Sequence, residues 1–514
     1  MIKVFAIMNI AILLTFEHRC VIHSNENRTR PSLENFYVSE NENFKVHYDM
    51  NGNNAPDLTD LNNNSIPDYI EEVALIAESS MHILVDVMGY MLPPNDGDNF
   101  YDIYVVNQSA WGWNVPESPI TGASYIKIDN NYLGNTFNSS YCSENIDKMR
   151  VSVAHEFFHA IQRAYRPNYN TDHDFLLEMS SMWFEDIMVP ECNDYLSFTS
   201  YSSGIFKQPE QKFDGSESLN SASFGYSMAL FGHYLSTIVD KKGTKNQQES
   251  TIIREIWEDY QNQNNQDGIN AAGQSIINVV SNYNIPFSDV WSDFITRNIF
   301  SGYFDHFNQE FYYYLDQKYM TPISFNHLSN PISIDDDYDF FYSLDPYSVK
   351  ILEFDSIEDQ LISLEYTNMD CQISNIAIKG NENTLFNSNN LDLPLNLNPS
   401  DILYLISISN NFDCLNIGFQ ILSSSVPIDS VILYPNPIYY QGEFFIEIDS
   451  YQNIENVVFE IYDISGRRIL KQDRAFTENP ISINVSEKIK ASGLYMLKIF
   501  FNEESYTYKF SVIN

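Results

Sequence analysis

Residues 151–162 read VSVAHEFFHAIQ, and the organisation of the chain follows from them. His155 and His159 are four residues apart, so on a helix both imidazoles lie on one face and can reach a single ion. Glu156 lies beside that pair, where it can accept a proton from a metal-bound water. Apolar residues flank the three, and residues 147–165 include neither proline nor glycine. The pattern therefore predicts a buried helix that carries a zinc site.

A third ligand is predicted at Glu178, within the stretch FLLEMSSMWFED at 175–186. Eighteen residues separate His159 from Glu178, which is enough for the first helix to end near Pro167 and a second helix to return a carboxylate to the histidines. The set would be His/His/Glu with one open coordination position. Three acidic residues are candidates for orienting the histidines: Asp174, Glu185 and Asp186.

This pattern resembles the gluzincin metallopeptidases, in which HExxH is followed by a distant glutamate, small residues and an aromatic. Glu178, Ser181 and Trp183 match that second part. Residues 44–301 are also similar to a group of secreted bacterial metalloproteases. The resemblance implies a zincin fold and an edge strand above the metal helix, which we place at Ala123–Asp129. The segment before this strand is rich in glycine, proline and tryptophan and is interpreted as a loop. It also suggests Tyr226 as a hydroxyl that stabilises the oxyanion, although a simple core aromatic is an equal alternative.

Residues 60–71 read DLNNNSIPDYIE and predict a calcium loop. Oxygen side chains fall at positions 1, 3, 5, 9 and 12, and a backbone carbonyl at position 7 can complete the shell. The predicted ligands are Asp60, Asn62, Asn64, Ile66, Asp68 and Glu71. Ser65 replaces the usual glycine at position 6, and Pro67 stiffens the turn. The alternative is an Asn-rich turn in which Asp68 is the N-cap of the next helix.

The chain is strongly acidic. Its 514 residues include 69 Asp and Glu against 28 Lys and Arg, a formal charge of −41 that disfavours contact with phosphate backbones. The hydrophobic fraction of 44% is sufficient for several domains with their own cores. We therefore expect a globular protein with no nucleic-acid partner. The acidity favours solubility and divalent cations, and a solvated acidic surface is its simplest explanation.

Residues 1–23 are interpreted as a signal peptide, because Lys3 precedes an apolar run that is too short to cross a bilayer. Its removal leaves no transmembrane helix and four cysteines: Cys142, Cys192, Cys371 and Cys414. Pairing by domain joins the first two and the last two, as export to an oxidising compartment favours. Four unpaired buried thiols are the alternative.

Three stretches mark the C-terminal region: LYPNP at 433–437, IYDISGRR at 461–468 and SGLYMLKI at 492–499. They resemble the C-terminal sorting domain of type IX secretion cargo. The resemblance implies a small β-sandwich, the type IX secretion machinery as a partner, and a secreted or surface-attached protein. Gly466 suits a hairpin turn. An ordinary terminal sandwich is the alternative.

The predicted fold class is multidomain α+β. A loose polar segment at 24–43 precedes a zincin-like metallopeptidase domain at 44–322, an all-β sandwich accessory domain at 323–426 and the sorting domain at 427–514. The accessory domain is predicted because short stretches alternate apolar and polar residues between turn-forming breaks.

Together these features predict a secreted zinc peptidase that acts on a protein or peptide substrate. Glu156 is the predicted general base, Tyr226 a second catalytic group, and calcium a second cofactor. Two other functions stay open. One is a non-catalytic surface adhesin, in which zinc or calcium only stabilises the fold. The other is a metal-dependent hydrolase of a non-peptide bond.

Overall fold

The computed structural model describes most of the chain between residues 29 and 513. The described ranges are 29–133, 141–168, 173–216, 218, 221–266, 268–299, 332–333, 338–355, 360–368, 373–379, 384–388, 395–397, 402–409, 414–425, 430–436, 438–439, 443–449, 456–477, 479–485, 488–489, 491–501 and 504–513. The signal peptide predicted at 1–23 and the boundary predicted at 322 lie outside these ranges.

The described residues divide into two compact units. The first runs to Gln208 and resumes from Asp214 to Val290. The second comprises Pro209–Phe213 and all described residues from Trp291 onwards. Helices and a mixed sheet make up the first unit, and the second is mainly β, so the protein has the mixed α and β composition that the sequence predicts.

The first unit has a five-stranded sheet. Its strands are β1 (Asn35–Val38), β2 (Phe44–Tyr48), β3 (Tyr101–Val106), β4 (Gly112–Pro116) and β5 (Ser124–Asp129). The spatial order is β1-β2-β3-β5-β4. Neighbours run parallel from β2 through β3 to β5, whereas β1 and β4 pair antiparallel with their neighbours. β4 is therefore an antiparallel edge strand.

Eight α-helices lie in the described ranges. They are α1 (Asp68–Met81), α2 (Asn145–Tyr165), α3 (Asp174–Met188), α4 (Ser221–Ser227), α5 (Ala229–Tyr234), α6 (Ile252–Tyr260), α7 (Ala271–Asn282) and α8 (Phe287–Ile299). π-Helical turns follow α1 at His82–Val87 and α5 at Leu235–Val239, and short 3-10 helices lie at Asp194–Ser200, Lys241–Thr244 and Gln247–Glu249.

α2 is the buried centre of the first unit. Every residue from Val151 to Arg163 is buried, so this helix has no solvent-facing side there. Phe157 packs edge-on against Phe44 of the sheet with ring centroids 5.1 Å apart, and Phe158 packs on Phe184 of α3 at 5.4 Å. Polar side chains on such a helix must find partners within the protein, because burial without them is costly.

The region 332–425 of the second unit consists, in its described part, of strands and one turn at 345–348. Its strands are β6 (Ile332–Ser333), β7 (Tyr338–Leu344), β8 (Val349–Asp355), β9 (Gln360–Asn368), β10 (Ile373–Lys379), β11 (Thr384–Ser388), β12 (Leu395–Leu397), β13 (Ile402–Ser409) and β14 (Cys414–Ser425). They form one sheet in the order β11-β10-β13-β8-β6 and another in the order β12-β9-β14-β7.

The last eight strands enclose a core of their own. They are β15 (Ser430–Tyr434), β16 (Ile438–Tyr439), β17 (Glu443–Asp449), β18 (Asn456–Asp463), β19 (Arg468–Ala475), β20 (Ile481–Asn484), β21 (Gly493–Phe501) and β22 (Glu504–Ile513). Two sheets, β15-β17-β20 and β16-β22-β21-β18-β19, share a cluster of buried aliphatic and aromatic side chains. Gly466, with φ +79°, makes the hairpin turn between β18 and β19 as predicted.

Two sequence predictions about the sheet are wrong. Ala123–Asp129 does not form the edge, because β5 lies between β3 and β4. The segment before it, interpreted as a loop from its glycine, proline and tryptophans, includes β4. Gly112 and Pro116 stand at the two ends of that strand, and an edge strand tolerates a proline whose missing N–H would not be paired.

The prediction of a loose segment at 24–43 is also wrong for its described part. β1 lies within it and pairs with β2. Before β1, the Arg30 guanidinium contacts the carboxylates of Asp102 and Glu117, which anchors the segment to the sheet. No helix in the described ranges is long and apolar enough to span a bilayer.

Candidate metal centre

The three predicted metal ligands meet between α2 and α3. His155 Nε2 lies 3.1 Å from His159 Nε2 and 3.0 Å from Glu178 Oε2. His159 Nε2 lies 3.6 Å from the same carboxylate oxygen. One donor atom of each residue is within 4.8 Å of the others, and no other group of three His, Cys, Asp or Glu side chains in the described part of the chain is arranged in this way.

A close approach of α4 to α3 places Tyr226 beside Glu178. A Cβ atom at Gly225 would lie 2.7 Å from the backbone of Phe175 and 2.8 Å from Cβ of Glu178, so only glycine permits this contact. The next residue is Tyr226, whose hydroxyl donates a hydrogen bond to Glu178 Oε1 at 3.2 Å. Tyr226 therefore contacts the predicted carboxylate ligand directly.

The Nδ1 atoms of both imidazoles face polar groups. His159 Nδ1 lies 2.8 Å from Gln162 Oε1, and His155 Nδ1 lies 3.4 Å from Glu185 Oε2. Such partners fix the ring orientation of a metal ligand. Of the three acidic candidates for this role, Glu185 lies at a ligand histidine, whereas Asp186 lies 3.5 Å from Nε2 of His233.

Glu156 lies against the edge strand β4. A Cβ atom at Gly112 would lie 2.6 Å from Glu156 Cγ and 2.7 Å from Oε1. Two positions along β4, Asn114 Nδ2 donates to the backbone carbonyl of Glu156 at 3.2 Å, and Asn114 Oδ1 accepts from Arg163 Nε at 2.6 Å. The general base predicted from the sequence is therefore in contact with the edge of the sheet.

The whole group is buried. His155 is 2% exposed, Glu156 1%, and both His159 and Glu178 0%. Burial raises the pKa of Glu178, and the hydrogen bond and charge of His155 oppose that rise. A cation among these atoms would favour the ionised carboxylate. Two imidazole nitrogens and one carboxylate oxygen are a donor set that fits zinc.

Side chains of the predicted calcium loop form hydrogen bonds with other residues of the same loop. Asp60 accepts hydrogen bonds from the backbone N–H groups of Asn64 and Ser65, at 3.2 and 2.9 Å. The carboxylate oxygens of Glu71 accept from the amides of Asn62 and Asn64, at 3.0 and 2.7 Å. Ser65 has φ +73°, the left-handed conformation that glycine usually supplies at position 6 of such a loop.

The alternative interpretation of this loop fits less well. Pro67 occupies the N-cap position of α1, and Asp68 is the first helical residue. The Asp68 carboxylate turns back and accepts from the N–H of Leu61 at 3.2 Å, instead of capping the helix. Calcium binding by this loop stays a prediction.

A disulfide joins Cys142 to Cys192, with α-carbons 4.6 Å apart. Cys142 precedes α2 and Cys192 follows α3, so the bond links the two segments that flank the ligand helices. Cys371 lies outside the described residues, and with it the predicted pairing to Cys414.

Sequence reasoning missed three residues of the site: Gln162, Gly112 and Asn114. Gln162 had a usable signal, because a residue three positions after His159 lies on the same helix face. No sequence signal indicated Gly112 and Asn114, because they reach Glu156 only through the pairing of β4 with β5.

The C-terminal strands settle part of the chain's identity. Residues 432–513, which are the strands with the separate core, match the family described as secretion system C-terminal sorting domain. They are a type IX secretion sorting domain. The sorting domain directs the protein through the type IX secretion machinery to the cell surface or the extracellular space.

The chain is similar in part to several solved structures. They include a β-glucuronidase from Faecalibacterium prausnitzii (8% identity, 33% of this chain and 38% of that chain, TM-score 0.14) and dimeric latent PorU from Porphyromonas gingivalis (17%, 34% and 20%, 0.15). A third is the adhesin domain of Epf from Streptococcus pyogenes (11%, 34% and 76%, 0.14). The chain spans well under two thirds of the first two. TM-scores this low carry no argument about fold or function. No curated protein gives a significant match.

Proposed function

We propose that the part of the chain before the sorting domain is a zincin-like, zinc-dependent peptidase. The observation that supports this most strongly is the convergence of His155, His159 and Glu178 with Glu156 beside them. A zinc ion held by the three ligands would act as a Lewis acid and lower the pKa of a water molecule to about 7.

The protein's own groups would then divide the work of peptide hydrolysis. Glu156 would take the proton of the attacking water and pass it to the leaving amine, which is the usual role of a general base that later acts as an acid. Tyr226 would stabilise the oxyanion that develops on the carbonyl. Its hydrogen bond to Glu178 suggests a second role, which is to hold that ligand in place.

The position of β4 also supports a peptidase. The strand contacts Glu156 through Gly112, and no strand in the described part of the chain pairs with its outer edge. An extended peptide can add to such an edge through backbone hydrogen bonds, which would place its carbonyls near the general base. Because residue 112 is glycine, the side chain of Glu156 can lie directly against the strand, where any Cβ atom would overlap it.

Burial sets a condition on this proposal. With ligands and base between 0 and 2% exposed, a peptide reaches Glu156 only if neighbouring residues move. The same burial favours a second candidate function, a surface protein in which the metal is structural, because only a catalytic metal needs access for water and substrate. The retained Glu156, which no structural site requires, favours the peptidase.

The deciding experiment combines metal analysis with one substitution. Purified full-length protein should contain about one zinc per chain, and Glu156→Gln should keep the zinc but lower peptide hydrolysis at least about 100-fold. Glu191→Gln, an exposed change after α3, is the matched control and should leave activity unchanged. A protein without zinc, or equal activity in both variants, would exclude the mechanism. Zinc without hydrolysis of any peptide would support the structural role, and activity on esters alone would indicate a different hydrolase.

We also propose that the loop at 60–71 binds calcium in a structural role. Its support is the combination of five oxygen side chains at the expected positions with the left-handed residue at position 6.

A further inference from the structure

Gln162 lies in a hydrogen-bond network that allows only one orientation of its side-chain amide. Its Nε2 faces the backbone carbonyl of Leu177 at 3.0 Å. A carbonyl oxygen can only accept, so the atom that faces it must be the amide nitrogen and not the amide oxygen. The amide oxygen, Oε1, is therefore the atom directed at His159.

Ser180 supports the same orientation. Its hydroxyl donates its one proton to the carbonyl of Leu176 at 2.6 Å, so its oxygen is left to accept. It accepts from Gln162 Nε2 at 3.1 Å and from Trp257 Nε1 at 3.2 Å. Both donors fit only if the amide nitrogen of Gln162 points to this serine.

The fixed amide determines which nitrogen of His159 carries the proton. Gln162 Oε1 is an acceptor and lies 2.8 Å from His159 Nδ1, so Nδ1 donates to it. The Ser181 hydroxyl also lies near Nδ1, at 3.3 Å, and its oxygen accepts from Gln162 Nε2 at 3.0 Å. The amide oxygen is the nearer of the two groups and cannot donate, so it sets the direction of the bond. In a neutral imidazole the proton on Nδ1 leaves Nε2 with its lone pair. Nε2 is the atom that faces His155 and Glu178 at the centre of the site.

We propose that Gln162 is the positioning residue that fixes the tautomer of His159 and so keeps Nε2 available as a metal ligand. This inference rests on the proposed zinc site. It also distinguishes the two histidines, since His159 is supported by a neutral amide, whereas a carboxylate, that of Glu185, lies near His155. A neutral partner raises the basicity of its imidazole less than a carboxylate does.

Two substitutions separate this role from simple packing. Gln162→Met and Gln162→Glu both lose the amide nitrogen that donates to Leu177 and Ser180, so both should lower the melting temperature. Only Gln162→Glu keeps an oxygen at position 162 that can accept from His159 Nδ1, whereas the more distant Ser181 hydroxyl, at 3.3 Å, is common to both variants. We expect zinc affinity, measured by competition with a chelator, to fall roughly 10- to 100-fold in Gln162→Met and to stay within about threefold of the wild type in Gln162→Glu.

Gln274→Met is the matched control, because Gln274 is a buried glutamine on α7 whose amide donates to Asn278 at 2.8 Å, and its zinc affinity should match the wild type. An equal loss of zinc affinity in Gln162→Met and Gln162→Glu, or no loss in Gln162→Met, would overturn the inference.

A second readout needs no substitution at 162. In metal-free protein with ¹⁵N-labelled histidine, the His159 signals should show a protonated Nδ1, and a protonated Nε2 would contradict the proposal. Wild type that binds zinc without hydrolysing peptides would refute the peptidase and leave the role of Gln162 intact, whereas wild type that binds no zinc would refute both.

Discussion

Gly112 and Glu156 are so close that a methyl group on the glycine would lie 2.6 Å from Glu156 Cγ. No heavy atom fits there unless the side chain or the strand moves, so we expect Gly112→Ala to displace Glu156, the proposed general base. Peptide hydrolysis should fall at least about tenfold while the zinc content stays the same. Gly232→Ala is the matched control, since its methyl would press on Trp183 at 3.1 Å and not on the base. Equal activity in the two variants would show that β4 does not constrain Glu156.

Tyr226→Phe tests the hydroxyl that contacts the carboxylate ligand. Loss of the hydrogen bond to Glu178 Oε1 should weaken zinc binding roughly tenfold, because groups behind a ligand hold it in its coordinating position. The oxyanion role predicts in addition a lower kcat in protein saturated with zinc. Chelator competition and steady-state kinetics on the same preparation measure the two effects separately. If neither zinc affinity nor kcat changes, Tyr226 is a core aromatic with no role at the site.

Calcium should stabilise the first unit through the loop at 60–71. We expect millimolar calcium to raise the melting temperature and Asp60→Ala to abolish that increase, because Asp60 supplies position 1 of the loop. Asp57→Asn is a suitable control, since Asp57 bonds only to Thr59 just before the loop. A calcium response that survives Asp60→Ala would place the binding site elsewhere.

Removal of the disulfide between Cys142 and Cys192 should destabilise the segments around both ligand helices. The bond closes a loop of 50 residues, for which chain entropy predicts a contribution of about 4 kcal/mol to the free energy of unfolding. Denaturant unfolding of the double variant Cys142→Ser/Cys192→Ser measures this loss. Reductant should destabilise the wild type and leave the double variant unchanged, and insensitivity of the wild type would refute the expectation.

The stability of the first unit should fall in mild acid because of His233. Burial lowers the pKa of His233 to about 4, and the hydrogen bond that Nδ1 donates to Gln247 Oε1 at 2.9 Å opposes that shift only in part. The unfolded chain, with a pKa of about 6.5, binds a proton more readily, so stability is complete above pH 6.5 and declines as the pH falls toward 4.

The size of this decline is on the order of 3 kcal/mol. His233→Gln should flatten the pH dependence of the free energy of unfolding across that window. His82→Gln is the control, because His82 is exposed beside Asp86 and should not alter the curve. Identical slopes for the two variants would contradict the assignment.

The sequence predicts the ligands of the candidate site better than their surroundings, for a physical reason. His155 and His159 are fixed relative to each other by the geometry of one helix, and Glu178 needed only a second helix of suitable spacing. The family match at 432–513 likewise bears out the sorting domain, whose turn and strand signals are local.

What the sequence could not predict depends on contacts between distant segments. Gly112 and Pro116 are residue types typical of loops. They nevertheless begin and end an edge strand, because Trp113 and Val115 pair with β5. The polar composition around Arg30 suggests a loose segment, whereas Asp102 and Glu117, far along the chain, supply the partners that hold it. No local pattern reports a partner so distant in the chain.

The burial of the candidate ligands also bears on how the protein would acquire its metal. A metal ion bound to donor atoms this deeply buried can exchange with solvent only when the surrounding protein opens. The ion would therefore bind most readily while the chain folds. After folding, release of the ion would require the same opening, so a brief wash with chelator would remove little of it. An exported protein with such a centre would keep its ion in surroundings where free zinc is scarce.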